Sequence, residues 1–147
     1  MRYQFKFEKI LSIREREKDE ALSVYNESIK KFEEVAEKLY SLLKKKEDIE
    51  NYQSSRLKEG LPIQEIRHHQ QFIINIEKSI EHYQKMVMNA RNRMNFYQEK
   101  LMEKNIEVKK YEKMKEKDAL NFFKEMQMLE NKQMDDISIQ FYMNRGG

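Results

Sequence analysis

The sequence predicts an all-α protein, a long antiparallel two-helix coiled-coil hairpin whose second helix is longer than the first. Two observations indicate this fold. Apolar residues recur at alternating spacings of three and four, and the three glycines and one proline fall in only two places. Because an α-helix turns once in about 3.6 residues, a 3-4 alternation keeps one narrow stripe facing the same way for many turns.

The longest stripe, which we call the helix-two seam, runs through the second half of the chain. Most other faces of this segment are charged, which is typical of a coiled coil rather than of a helix with a broad buried face. Lys104 is the one charged member of the seam. The seam comprises Ile66, His69, Ile73, Ile76, Ile80, Tyr83, Val87, Ala90, Met94, Tyr97, Leu101, Lys104, Val108 and Tyr111.

One turn separates the helices, because Gly60 and Pro62 are the only breakers before the C-terminal glycine pair. Glycine leaves a helix readily, and proline is tolerated only in the first helical turn. We therefore expect a single coiled-coil domain over residues 1–147. Its expected parts are helix one at about 4–57, the turn at 58–62, helix two at about 63–141 and a short flexible C-terminal end.

Helix one carries a second stripe, which is shorter and less regular. It loses phase at Lys44–Lys46 and resumes, shifted, at Ile49 and Tyr52, so we expect a stutter that changes the local supercoil. The stripe before this point comprises Leu22, Tyr25, Ile29, Phe32, Ala36, Leu39 and Leu43.

Helix two is expected to extend beyond helix one by roughly 20 residues, or about 30 Å. An apolar stripe without a partner in its own chain is a liability or a docking site. We interpret it as a docking site, with fraying and self-association as the alternatives. Its members are Met114, Ala119, Phe122, Met126, Leu129, Met134 and Ile137.

The composition favours such thin helix pairing over a thick core. Hydrophobic residues make up 39% of the chain and charged residues 37%, against about 45–50% and about 25% in a compact domain. The 29 basic and 26 acidic residues are interleaved, cysteine is absent, and no run approaches the length of a membrane-spanning helix. The first residues alternate in polarity instead of forming a secretory signal, so we expect the chain inside the cell.

Catalytic and metal-binding patterns are not found in the sequence. His68, His69 and His82 never have the i, i+4 spacing of helical metal ligands. Glu65 and His68 form one Glu-x-x-His pair, whereas di-iron bundles use two such pairs and further carboxylates. We therefore expect no enzyme activity, no metal and no cofactor.

Nucleic-acid binding is not expected either. Lysines cluster at residues 109–117, but Glu107, Glu112, Glu116 and Asp118 interrupt them. A basic region that neutralises phosphates should be nearly free of acidic residues. This pattern is typical of a solvated helix face with i, i+3 ion pairs.

Four segments, taken together and in order, resemble the flagellar FliJ family, small proteins of the bacterial flagellar export apparatus. Residues 5–11 (FKFEKIL) and 14–21 (REREKDEA) are similar to the N-terminal signature of that family. Residues 69–72 (HQQF), just after the turn, resemble its Gln-Gln-Phe segment. Residues 132–136 (KQMDD) resemble its C-terminal Lys-x-Met-Asp stretch.

The resemblance implies a helical hairpin similar to the central stalk subunit of rotary ATPases, with three kinds of partner. The terminal end would bind the flagellar export ATPase hexamer, through Phe5, Phe7, Ile10, Met134, Asp135 and Ile137. A patch nearer the turn would contact the cytoplasmic domain of the membrane export gate, through Leu42, Phe72, Ile76, Ser79 and Tyr83. Two patch positions that are usually aromatic in the family hold Lys45 and Ile49 here. Export substrate chaperones are the third partner.

The function expected on this basis is a non-enzymatic component of flagellar type III export that couples ATPase activity and chaperone delivery to export. It would lie in the cytoplasm, at the inner face of the cell membrane, reaching the membrane only through its partners. The alternative is a homodimeric structural coiled-coil protein in which the extension of helix two pairs with a second copy.

Overall fold

Two helices account for nearly all of the chain. The computed structural model describes residues 2–146, in which α1 spans Glu8–Leu57 (50 residues) and α2 spans Ile63–Gly146 (84 residues). No strand occurs among these described residues. The prediction of an all-α hairpin with a longer second helix is confirmed.

The helix ends differ from the expected ones at both termini. The first helix begins at Glu8 rather than near residue 4, because a turn precedes it in which the amide of Glu8 donates to the carbonyl of Phe5 at 3.3 Å. The second helix continues to Gly146 instead of giving way to a flexible end at Phe141. Residues 142–145 contain no helix breaker, and Arg145 in the last turn suits the helix dipole.

The turn between the helices depends on one glycine conformation. Gly60 has a φ of 90°, a left-handed value that side chains other than glycine rarely adopt. The amide of Glu59 donates to the carbonyl of Arg56 at 3.0 Å as α1 ends. The carbonyl of Pro62 accepts from Ile66 at 3.1 Å as α2 begins. Proline needs no amide partner at this position, so the sequence stops one helix and starts the next within five residues.

Packing divides the chain into two compact units. The turn unit is Glu20–Met102, and the terminal unit holds the chain up to Asp19 and from Glu103 onward. Each unit contains a segment of both helices. The expectation of a single domain over residues 1–147 stays a prediction.

In the turn unit the helices are antiparallel and in constant register. The ammonium of Lys46 lies 3.3 Å from Oε1 of Glu77, and the guanidinium of Arg91 lies 5.7 Å from the ring centre of Phe32. Fourteen residues of α1 thus face fourteen residues of α2, so neither helix slips past the other.

The predicted stutter in α1 is wrong. A set of buried and half-buried residues of α1 continues at 3-4 spacing through Lys46 without a break. Of the predicted stripe, Ile29 and Ala36 are half-buried beside this set, whereas Leu22 and Leu43 are exposed. At four positions the observed stripe lies one residue before the predicted one, and the polar residues Lys46 and Gln53 continue it past the expected stutter. It comprises Ala21, Tyr25, Ser28, Phe32, Val35, Leu39, Leu42, Lys46, Ile49 and Gln53.

The facing stripe of α2 agrees with the helix-two seam. Every seam residue is buried or half-buried, and Ile76, Ile80 and Val108 are the most buried of them. Two paired helices bury only a narrow stripe between them. The hydrophobic residues of this chain, 39% of the total, are therefore enough to form its core.

The core of the terminal unit combines α1, α2 and the residues before α1. Phe5, Leu11 and Val108 are buried together, and Tyr3, Phe7 and Tyr111 pack against them. Val108 is the most buried side chain, with 2% of its surface exposed. The Tyr3 ring also lies 5.4 Å from that of Phe122, so the N-terminal segment covers a part of α2 that was expected to have no partner.

Candidate functional site

The five predicted gate-binding residues lie in the turn unit and differ in exposure. Phe72 is 45% exposed, Leu42, Ser79 and Tyr83 are half-buried, and Ile76 is only 5% exposed. Leu42 lies on α1 between Lys38, whose ammonium is 5.8 Å from the ring centre of Tyr83, and Lys46, which pairs with Glu77. Because the register is constant, Leu42 faces the part of α2 that carries Ser79.

The predicted patch thus contains both residues that are buried between the helices and residues that a partner could reach. Ile76 belongs to the helix-two seam, so its side chain holds the helices together and offers little surface to a partner. Phe72 is the large apolar side chain that a partner could contact. Tyr52 on α1 is also exposed, and its ring lies 5.7 Å from that of His69 in an edge-to-face arrangement.

The predicted ATPase-binding residues form two separate groups. Phe5 is 8% exposed and belongs to the core of the terminal unit, while Phe7 and Ile10 are half-buried beside it. Met134, Asp135 and Ile137 are exposed. Along α2, Met134 lies about 39 Å beyond Val108, the residue that Phe5 packs against. The structure therefore does not bring the six residues together.

The exposed group belongs to the last section of α2, which we call the terminal helix (residues 127–146). Every residue of this section is exposed. Its exposed apolar side chains include Met128, Leu129, Met134, Ile137, Ile139, Phe141, Tyr142 and Met143. Large apolar groups in water are the usual mark of an interface.

The residues before α1 form a segment that sequence reasoning missed, which we call the N-terminal strap (residues 3–7). The Tyr3 ring lies 5.4 Å from that of Phe122 and 6.2 Å from that of Phe123. Its hydroxyl donates to the carbonyl of Lys115 and to Asp118, each at 3.2 Å. Burial of the phenol and its bond to Asp118 raise the pKa of Tyr3.

The sequence does contain a signal for a non-helical segment before α1. Apolar Tyr3, Phe5 and Phe7 alternate with polar residues at a period of two, which is not the period of a helix.

A polar layer interrupts the apolar core of the terminal unit. Lys104 of the helix-two seam donates to Glu17 at 3.3 Å, and Arg14 pairs with the same carboxylate at 3.0 Å. The hydrogen bond from Lys104 lowers the pKa of Glu17, with help from the charge of Arg14. The charged residue of the predicted seam thus has a charged partner on α1.

A groove of about 480 Å³ lies along the helix pair in the turn unit. Small residues line its floor, since Ser28 and Ala90 occupy stripe positions that larger side chains fill elsewhere. Ser28 is buried, and its hydroxyl donates to the carbonyl of Tyr25 at 2.6 Å, which satisfies it within α1.

The histidines do not form a metal site in the described part of the chain. The rings of His68 and His69 lie 6.5 Å apart, as adjacent residues on a helix do. Among residues 2–146, no group of three or more His, Cys, Asp or Glu side chains could hold a metal ion. The expected absence of metal and cofactor stays a prediction.

In residues 2–146, neither α1 nor α2 contains a stretch that is long and apolar enough to cross a membrane.

The fold and these surfaces define an α-helical coiled-coil hairpin, with exposed apolar groups near the turn and at the end of its longer helix. The chain belongs to the Flagellar FliJ protein family, whose sequence profile matches residues 3–147. This confirms the resemblance seen in the four sequence segments. Membership of this family supports the prediction that the chain is a component of the flagellar export apparatus.

Two individual proteins illustrate the relationship. The chain is 52% identical over 146 residues to the Flagellar FliJ protein of Bacillus subtilis (strain 168), covering 99% of each. The solved structure of a putative YscO homolog from Chlamydia trachomatis matches with a TM-score of 0.68, covering 97% of this chain and 96% of that one. The sequence identity to the Chlamydia protein is 18%, so this likeness bears on the fold alone.

Proposed function

We propose that this protein is a non-enzymatic component of the flagellar type III export apparatus, which binds the export ATPase hexamer through its terminal helix. The observation that supports this most is the exposure of the whole terminal helix together with its apolar side chains. A stable helix that carries so many apolar groups in water needs a partner to cover them.

The distribution of these side chains suits a partner that surrounds the helix. At about 100° per residue, Ile137 and Phe141 point to one side, while Ile139 and Tyr142 point to the opposite side. A helix that is apolar on all sides is typically buried on all sides. The central opening of a ring-shaped ATPase offers such an environment, whereas a flat surface covers one side only.

The second part of the proposal concerns the export gate. Phe72 provides an exposed aromatic anchor, and aromatic side chains dominate the binding energy of many interfaces. Leu42, Ser79 and Tyr83 would line the same contact, while Ile76 would support it from within the seam. Binding at both surfaces would let one molecule couple ATPase activity to delivery of substrates at the gate.

Delivery of export substrate chaperones and a position at the inner face of the cell membrane complete the proposal. Both are supported by the family resemblance, and membrane contact would occur only through the gate. No catalytic role is assigned to any residue of the chain.

A binding experiment with purified components tests the ATPase part. The full chain should bind the export ATPase and raise its rate of ATP hydrolysis. Ile137→Ser, placed in the terminal helix, should weaken both effects strongly. Ile106→Ser is the matched control, because Ile106 (65% exposed) and Ile137 (61% exposed) differ little in exposure and both lie on α2 in the terminal unit.

The outcomes separate clearly. Loss of binding in Ile137→Ser but not in Ile106→Ser supports the proposal, provided that both variants keep the helical circular dichroism of the parent. If the parent chain neither binds nor stimulates the ATPase, the proposal is wrong.

A further inference from the structure

We propose that the terminal helix also pairs with the terminal helix of a second copy of this chain, in antiparallel orientation. The residues concerned form one stripe of α2, which we call the self-pairing stripe: Glu130, Met134, Ile137, Phe141 and Arg145. All five are exposed. At about 100° per residue they fall within an arc of about 80°, so they present one face to a partner.

The four outer residues of the stripe are symmetric in spacing, and its two ends are complementary in charge. Glu130 lies seven residues before Ile137, and Arg145 lies seven residues after Ser138. A twofold axis between Ile137 and Ser138 therefore places Glu130 of each copy opposite Arg145 of the other. The same axis places Met134 opposite Phe141 and brings the two Ile137 side chains together at the centre.

The charges favour the antiparallel orientation over the parallel one. In a parallel pair, Glu130 would face Glu130 and Arg145 would face Arg145, and like charges in register are destabilising. In the antiparallel pair, two ion pairs flank an apolar centre. Arg145 stacks over the ring of Phe141 in its own chain at 5.2 Å. A guanidinium carries five N–H donors, so Arg145 can lie over this ring and still donate to a carboxylate.

The length of the terminal helix limits the strength of this pairing. A section of 20 residues is about 30 Å long, and one stripe of it gives a contact at or below the lower end of stable protein interfaces. We therefore expect a reversible dimer that forms at high concentration.

Self-pairing would cover Met134 and Ile137, which the proposed function assigns to the ATPase. The two assemblies would then exclude each other. The self-pairing inference itself does not depend on ATPase binding, because it is tested with this chain alone.

Analytical ultracentrifugation over a range of concentrations tests the pairing. The mass of the full chain should rise from 18.1 kDa toward twice that value as concentration increases. Ile137→Asp should keep the chain monomeric at every concentration. Ile106→Asp, which places the same charge on an exposed site of α2 outside the stripe, should dimerise as the parent does.

Charge exchange tests the orientation. Glu130→Arg and Arg145→Glu, made singly, should each weaken dimerisation by about tenfold, because each places like charges at both ends of the contact. The double variant restores opposite charges only in an antiparallel pair, so it should return to the parent affinity. In a parallel pair no restoration occurs, because each exchanged residue still faces its own copy.

Cross-linking provides a readout independent of affinity, because the chain has no cysteine of its own. A mixture of Glu130→Cys and Arg145→Cys chains, treated with a short bismaleimide, should give the mixed cross-linked dimer. Glu130→Cys alone should give none.

A chain that remains monomeric at all concentrations overturns the inference, even if it binds the ATPase. Cross-linking of Glu130→Cys to itself, or a double charge exchange without recovery, overturns the antiparallel arrangement.

Discussion

The ammonium group of Lys46 on α1 lies 3.3 Å from Oε1 of Glu77 on α2, and it also lies 3.9 Å from Oε1 of Glu50. This contact holds a lysine at a stripe position, with its aliphatic part between the helices and its charge at the edge. The stripe of α1 therefore passes through Lys46 without a break.

Replacing this lysine should stabilise the fold. Lys46→Leu removes ion pairs that are worth about 0–1 kcal/mol when exposed and buries more apolar surface. We expect the free energy of unfolding, measured with urea and circular dichroism, to rise by about 1 kcal/mol. Lys45→Leu, at an adjacent exposed site, should change it by less than about 0.5 kcal/mol. A clear loss of stability in Lys46→Leu would show that its ion pairs dominate.

Phe5 should behave as a core residue rather than as a docking residue. It is buried against Leu11 and Val108, so Phe5→Ala leaves a cavity and should lower the free energy of unfolding by about 3 kcal/mol. Phe123→Ala, at an exposed aromatic site of the same unit, should cost much less. Urea unfolding of both variants measures the difference, and equal small effects would return Phe5 to the set of partner-binding residues.

The polar layer should make stability depend on pH in the acid range. Because the hydrogen bond from Lys104 lowers the folded-state pKa of Glu17, its carboxylate stabilises the fold above the ordinary pKa of 4.5. This contribution is lost as the pH falls through the lowered folded-state value. Glu17→Gln should therefore be less stable than the parent at neutral pH, and the two stability curves should converge in acid.

Glu15→Gln serves as the control for that comparison, because Glu15 is exposed on the same helix. Its stability curve should run parallel to that of the parent across the acid range. Parallel curves for Glu17→Gln as well would contradict the role of the Lys104 contact.

The gate-binding surface can be tested with two neighbouring residues of equal exposure. Phe72 and Ile74 are both 45% exposed on α2, but only Phe72 belongs to the predicted patch. Phe72→Ser should weaken binding to the purified cytoplasmic domain of the export gate, and Ile74→Ser should not. Tyr83→Ser combined with Phe72→Ser should abolish binding and keep the helix content. Equal loss in both single variants would indicate a general effect on the helix.

The sequence was sufficient for the hairpin, the turn and the helix-two seam because these depend on local rules. Apolar spacing sets which side of α2 is buried, and Gly60 with Pro62 sets where the chain reverses. The stripe of α1 was harder to predict, since Ser28, Lys46 and Gln53 occupy positions that a search for apolar residues passes over. Their burial depends on the facing helix, which the sequence of α1 alone does not contain.

The candidate surfaces were predictable only in part. Met134 and Ile137 are exposed as a docking stripe requires, and Phe72 is accessible. The roles of Phe5 and Ile76 could not be told from the sequence, because buried and docking residues have the same apolar chemistry. The N-terminal strap was missed because its packing on α2 joins residues more than a hundred positions apart.

Hydrogen–deuterium exchange of the full chain tests whether the terminal helix is the surface that binds the ATPase. The exchange is measured with and without the purified export ATPase, at a concentration where the chain alone is monomeric. Amides of residues 127–146 should exchange more slowly in the complex, while those of the turn at residues 58–62 should not change. Unchanged exchange across residues 127–146 in an ATPase-bound chain would show that the terminal helix is not the binding surface.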